Sequence, residues 1–126
     1  MDSAYNFLVE MATLTPLKAG YGFSFVMYAN DHNPPHIHLY KSVEDIKNGN
    51  YYTRILVPEK EPQTEEEIKS YKGDIDLNSN EKKNILRWFK NPYKKIPSLT
   101  NYQLAVMQWD IFQNTDEIDS LPEDSK

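Results

Sequence analysis

A chain of 126 residues with 39% hydrophobic, 13% aromatic and 26% charged side chains can bury one core, and this composition excludes a wholly disordered protein. The absence of cysteine excludes disulfide frameworks, thiolate zinc sites and cysteine nucleophiles. The formal charge of −5 argues against wholesale coating of nucleic acid, and no apolar run approaches the roughly 20 residues that cross a bilayer.

Asp2 stands where a secretory leader would carry positive charge, so a cytoplasmic protein with no membrane contact is expected. Without a repeat or a low-complexity linker, residues 1–126 read as a single domain. Its core is expected over about 20–113, and residues 114–126 as an acidic, frayed tail.

At the N-terminus, Ala4, Leu8, Met11 and Ala12 fit a helical stripe that Thr13-Leu14-Thr15-Pro16 breaks. From Gly20 the period becomes two. Tyr21, Phe23, Phe25 and Met27 alternate with Gly22, Ser24, Val26 and Tyr28, the repeat of a strand with one face buried. Pro34 and Pro35 end that strand by removing backbone donors, and His36 to Tyr40 forms the second strand of a hairpin.

Asn48-Gly49-Asn50 is a turn signal, after which Tyr51 to Val57 makes a β-branched and aromatic strand that Pro58 stops. Thr64 with Glu67 has capping-box spacing and predicts a short helix ending near Tyr71. Gly73-Asp74-Ile75-Asp76-Leu77 is expected as a fourth strand, with Asp74 and Asp76 on one face.

Two helices follow. Asn78 or Ser79 caps the first, Ile85, Leu86 and Phe89 form its apolar stripe, and Asn91-Pro92 ends it. The second opens at Thr100 with a Gln103 capping box, and its stripe is expected at Leu104, Met107 and Ile111, with Trp109 and Phe112 beside it. The predicted fold is therefore α+β: a small antiparallel sheet of about four strands with two C-terminal helices packed on one face.

All three histidines fall within Asp31-His32-Asn33-Pro34-Pro35-His36-Ile37-His38. His36 and His38, two apart on a strand, project from the same face. Such a pair can share a divalent metal, with Asp31 as a third ligand, or work on one substrate as acid and base, with His32 as a further catalytic contact. Histidines beside a proline corner also serve simply by hydrogen-bonding backbone carbonyls. If the Asp74–Asp76 segment pairs nearby, four ligand-type side chains share a face. Tyr28, before the loop, and Arg54, on the next strand, are candidate substrate contacts.

Charge is unevenly spread. Glu59, Glu61 and Glu65 to Glu67 form one acidic run and Asp116 to Asp124 another, while Lys82, Lys83, Arg87, Lys90, Lys94 and Lys95 lie between. Lys83, Arg87 and Lys90 share one helical face, which suits phosphate contact as well as it suits plain solvation. No phosphate-binding glycine loop, Gly-x-Ser-x-Gly elbow or His-Glu-x-x-His helix is present.

Met27-Tyr28 followed by Asn30-Asp31-His32-Asn33-Pro34-Pro35-His36-Ile37-His38 closely resembles the signature of the bacterial family catalogued as domain of unknown function 4160, Asp-His-x-Pro-Pro-His-Phe-His between two strands. Gly73-Asp74-Ile75 and a helix bearing Ile85 and Trp88 extend the likeness over about 20–112. Members are short bacterial and phage-associated proteins, often encoded beside a second small protein in the manner of toxin–antitoxin pairs.

The resemblance implies a prokaryotic, toxin-like component with a small cognate protein partner. It carries no defined activity. This chain departs from the pattern in its longer stretch between His38 and Gly73 and in its acidic tail. Three functions are consistent with the sequence: RNA- or nucleotide-directed chemistry by the histidine cluster, a non-enzymatic binding or antitoxin-like module, and a metal-binding protein.

Overall fold

The computed structural model describes residues 11–119. Its elements are β1 (Met11–Thr15), a 3-10 turn (Leu17–Ala19), β2 (Ser24–Tyr28), β3 (His36–Tyr40), α1 (Val43–Asn48), β4 (Thr53–Leu56), a second 3-10 turn (Glu65–Glu67), α2 (Ser79–Lys90), β5 (Pro92–Tyr93), β6 (Ile96–Thr100) and α3 (Asn101–Asp119). No helix among these residues is long and apolar enough to cross a membrane.

Strands β1 to β4 form one antiparallel sheet in sequential order, and β5–β6 form a separate hairpin. The fold class is the expected α+β; β3 spans the expected His36–Tyr40, while β2 begins only at Ser24, not at Tyr21, and β4 covers Thr53–Leu56 of the expected Tyr51–Val57. The fourth strand is a different one. β1 pairs with β2 through Met11–Tyr28, Ala12–Met27 and Thr13–Val26, then bulges before Thr15. Met11 and Ala12, expected in a helical stripe, are therefore in a strand; Ala4 and Leu8 lie outside the described residues.

Residues 73–77 are not a strand. Gly73 takes a positive φ of 92°, which turns the chain, and the Ile75 carbonyl accepts from the Thr53 and Ser70 hydroxyls rather than from a neighbouring strand. The outer edge of β4 is covered instead by residues 68–71, where the Tyr71 N–H donates to the Arg54 carbonyl at 2.7 Å. The expected helix after Thr64 is only the 3-10 turn Glu65–Glu67. α1 was not expected; Ser42 caps it by accepting from the Asp45 N–H, and Gly49 ends it at φ 70°.

The caps of the two long helices follow the sequence. Asn78 and Glu81 form a capping box on α2, and Thr100 and Gln103 exchange equivalent bonds at the start of α3. The buried face of α3 is rotated from the expected one: Tyr102, Ala105, Trp109 and Phe112 are buried, whereas Met107 and Ile111 are exposed. α3 extends to Asp119, past the expected start of a frayed tail at 114.

The core lies between the helices and the sheet face carrying Phe25, Met27, Ile37, Leu39 and Ile55. Trp88 of α2 stacks on Phe25 with ring centroids 4.1 Å apart and planes 4° from parallel. Its indole N–H donates to the Thr15 hydroxyl at 2.6 Å, tying α2 to the edge strand. Both groups are buried, so that bond cannot be exchanged for one to water.

Replacing Thr15 by Val keeps the volume but strands the buried indole N–H. Urea unfolding should show a loss of about 1–3 kcal/mol, while Thr13→Val, at an exposed position of the same strand, should change stability by less than about 0.5 kcal/mol. Equal stability of the two variants would remove Thr15 from the list of anchors.

Candidate metal centre on the histidine face of the sheet

The register of β3 decides where the histidines go. Val26 pairs with His38 and Phe25 with Leu39, and paired residues share a face while neighbours alternate. Ile37 and Leu39 enter the helix-covered core, so His36, His38 and Tyr40 stand on the other face, as the two-residue period predicts for His36 and His38. This face is covered too: His36 is 3% exposed and His38 8%.

The cover is the β2–β3 loop and a set of rings. The Asp31 carboxylate accepts from the Tyr28 N–H at 3.0 Å, which folds the loop back over β3. It thereby sits 3.5 Å from His36 Nε2 and 3.8 Å from His38 Nδ1. Tyr28 and Tyr51 meet the His38 ring edge-on at 4.8 and 5.1 Å, and Tyr71 meets His36 at 4.8 Å. Trp109 of α3 stands 5.6 Å from His36, and Gln113 donates to the Asp31 carbonyl.

His36 Nδ1 lies 2.8 Å from the Pro34 carbonyl. A carbonyl can only accept, so Nδ1 carries the proton and Nε2 is the atom presented to Asp31. Burial pushes the His36 imidazole down, but bonding to Asp31 and to the Pro34 carbonyl, with the Asp31 charge, outweighs it and holds the ring above its ordinary pKa.

For His38 burial wins and lowers the pKa to about 4. At 3.8 Å Asp31 is too far for a hydrogen bond, so its charge offsets the loss of solvation only in part, and His36 and Arg54 push the same way as burial. His38 Nδ1 is thus a buried nitrogen with no hydrogen-bond partner, aimed at a carboxylate.

Three donor atoms from Asp31, His36 and His38 lie within 4.8 Å of one another. Around an ion with bonds near 2.1 Å, tetrahedral ligand atoms are about 3.4 Å apart. The Asp31 gaps run to different carboxylate oxygens, 3.5 Å from Oδ1 to His36 Nε2 and 3.8 Å from Oδ2 to His38 Nδ1, and both are longer than this. The donor atoms of His36 and His38 also lie within 4.8 Å of each other. The pairing of His36 Nδ1 with a backbone carbonyl is the arrangement that fixes a metal-ligating imidazole in its tautomer.

Of the residues expected at the site, the structure brings together Asp31, His36, His38 and Tyr28, with Arg54 adjacent. His32 is exposed and outside the cluster. Lys83, Arg87 and Lys90 are exposed on α2, across the sheet from the histidines, and Arg87 donates to the Gly20 carbonyl. Asp74 and Asp76 add no ligands: Asp76 is exposed, and Asp74 accepts three bonds from Arg54, at 2.8, 2.9 and 3.0 Å. That pairing fixes Arg54 over the Tyr71 ring at 4.0 Å. Tyr40, whose hydroxyl meets that of Tyr28 at 2.6 Å, was readable as the next residue on the histidine face. Tyr51, Tyr71 and Trp109 had no such signal.

No family model, curated protein or solved structure matches the chain.

The Arg54–Asp74 pair sets an acid limit on this cover. Hydrogen bonding to Arg54 holds the Asp74 carboxyl below its ordinary pKa despite burial. The unfolded chain then binds the proton first as pH falls, so the pair's contribution is complete above the ordinary carboxylate pKa of about 3.9 and is lost as pH drops through the lower folded value. Asp74→Asn should be less stable than the parent at neutral pH and should show a flatter decline between about pH 4 and pH 2. Parallel pH–stability curves would show that the pair does not contribute.

Proposed function

We propose that this chain is a divalent-metal-binding protein whose ion is held by Asp31, His36 and His38. The observation that carries the reading is the buried, unpartnered His38 Nδ1 facing the Asp31 carboxylate. An isolated polar atom of this kind costs about 1–3 kcal/mol to bury, and a cation between the three groups gives it a partner. The same ion replaces the proton that otherwise has to lie between His36 Nε2 and Asp31.

Two imidazoles and a carboxylate suit zinc, nickel, manganese or ferrous iron. Three protein ligands leave further coordination positions for water or a substrate oxygen. Tyr51, the most exposed ring around the cluster at 39%, stands beside His38 and marks the side from which such a group enters.

Proton transfer on RNA would use the same histidines. Their burial, and the placing of Lys83, Arg87 and Lys90 across the sheet, favour the metal reading over that one. The toxin-like setting implied by the Asp31–His38 motif stays compatible with a metal centre, since it specifies no chemistry.

Cobalt(II) gives visible absorption in an imidazole–carboxylate site and reports binding directly. Apo protein titrated with cobalt(II) should develop such bands at one equivalent, and zinc should abolish them by displacement. Zinc at a hundred times its Kd should stabilise the fold by about 2.7 kcal/mol. Asp31→Asn and His38→Gln should lose both effects while keeping the parent far-ultraviolet circular dichroism. Absence of the bands and of the melting shift in the parent protein, or their survival in both variants, would exclude the site.

A further inference from the structure

A second concentration of function-bearing side chains lies along the β1 edge of the sheet. Between β1 with its following 3-10 turn and the β5–β6 hairpin is a cavity of about 400 Å³. That volume falls in the range of small-ligand pockets, roughly 300–1,000 Å³. Its apolar wall includes Leu14, Pro16 and Ala19, and two rings, Tyr21 and Tyr93, face it from opposite elements.

The cations come from separate elements as well. Lys18 belongs to the 3-10 turn after β1, and Lys94 and Lys95 are the two residues between the paired Tyr93 and Ile96 at the hairpin tip. All three are exposed and line the same cavity, which has no acidic residue in its wall. Among the described residues no carboxylate forms an ion pair with any of them. In a chain of net charge −5, three unpaired ammonium groups around one apolar hollow form a local reversal of sign. Their mutual repulsion is relieved by an anion, and the hollow behind them excludes water from whatever body the anion carries.

From this arrangement we infer that the cavity binds a small anion bearing a planar ring, of the nucleoside monophosphate class. The phosphate lies on Lys18, Lys94 and Lys95, and the ring lies against Tyr21 or Tyr93. Tyr21 is well set for this: Asn91 donates to its hydroxyl at 2.9 Å and the Arg87 guanidinium stands 5.1 Å from its ring centroid, so the ring is held from two sides. Inorganic phosphate uses only the lysines, an apolar ring alone uses only the wall, and a monophosphate uses both. Nothing in this proposal depends on the metal centre.

The test is calorimetric titration of the full chain with adenosine 5′-monophosphate, adenosine, inorganic phosphate and an Asp/Glu-rich peptide. The monophosphate should bind at one per chain, at least tenfold more tightly than adenosine or phosphate, and more weakly as salt rises. The double charge reversal Lys94→Glu/Lys95→Glu sits on an exposed turn and should leave the fold intact by circular dichroism while weakening monophosphate binding at least tenfold. Tyr93→Ala should weaken it severalfold.

The proposal is overturned if the monophosphate does not bind, if adenosine or phosphate binds as well as the monophosphate, or if the lysine reversals leave its affinity unchanged. Binding of the acidic peptide in place of the monophosphate would equally overturn it and make the cavity a protein-docking face.

Discussion

Strand β3 is buried at each of its five residues, so the alternation that sends Ile37 and Leu39 into the helix-covered core also sends two imidazoles and a phenol into a second covered face. A buried imidazole needs partners, and the rest of this face is arranged around supplying them. His36 finds the Pro34 carbonyl and Asp31. Asp31 is available because the Tyr28 N–H bonds its carboxylate and Gln113 of α3 bonds its carbonyl. Tyr28 in turn meets Tyr40 through their hydroxyls. Among the described residues only His38 Nδ1 is a buried side-chain nitrogen or oxygen without a hydrogen-bond partner, and it is one of the three clustered donor atoms. On the proposed metal reading the orphan atom is one member of a ligand set and not an isolated packing defect.

Much of the fold was legible because it rests on local rules. Period-two alternation placed β2, β3 and β4, and side-chain-to-backbone capping placed the starts of α2 and α3. The misreadings share one cause, a long-range partner that local patterns do not contain. β1 has a weak strand signature, yet it pairs with β2 and receives the Trp88 indole on Thr15. Residues 73–77 alternate well, but Asp74 is claimed by Arg54 and the Ile75 carbonyl by two hydroxyls, leaving nothing to pair as a ladder. On α3 the expected apolar stripe and the buried one are both present in the sequence. Packing selects the one carrying Tyr102, Trp109 and Phe112, the larger rings and therefore the larger apolar area.

The candidate site divides in the same way. His36, His38 and Asp31 were readable from an eight-residue window, since strand geometry and a proline corner are local facts. The aromatic cover was not, because Tyr51, Tyr71 and Trp109 arrive from β4's approach, the segment beyond the second 3-10 turn and the middle of α3. The basic helix shows the opposite error. Lys83, Arg87 and Lys90 do share a face, but helical spacing says nothing about which side of the sheet the helix covers. The Phe25–Trp88 stack puts α2 on the side away from the histidines.

That separation has a consequence for how charge is distributed over the molecule. β2 runs four residue steps, about 13 Å, from Ser24, near Thr15 and the lysine-lined cavity, to Tyr28, beside Asp31. At one end a carboxylate and two imidazoles present donor atoms that attract a cation; at the other, three ammonium groups attract an anion. Exposed charges separated by more than the Debye length of about 8 Å at physiological ionic strength are largely screened from each other. On the two proposals the cation site and the anion site share no residue. If the protein acts on a phosphate-bearing substrate through a metal, that phosphate has to enter beside Tyr51 and Arg54, and the lysine cavity serves a separate ligand. Arg54 then becomes the cation that matters for such a substrate, because its guanidinium is fixed by Asp74 on the strand paired with His38, within the same covered face.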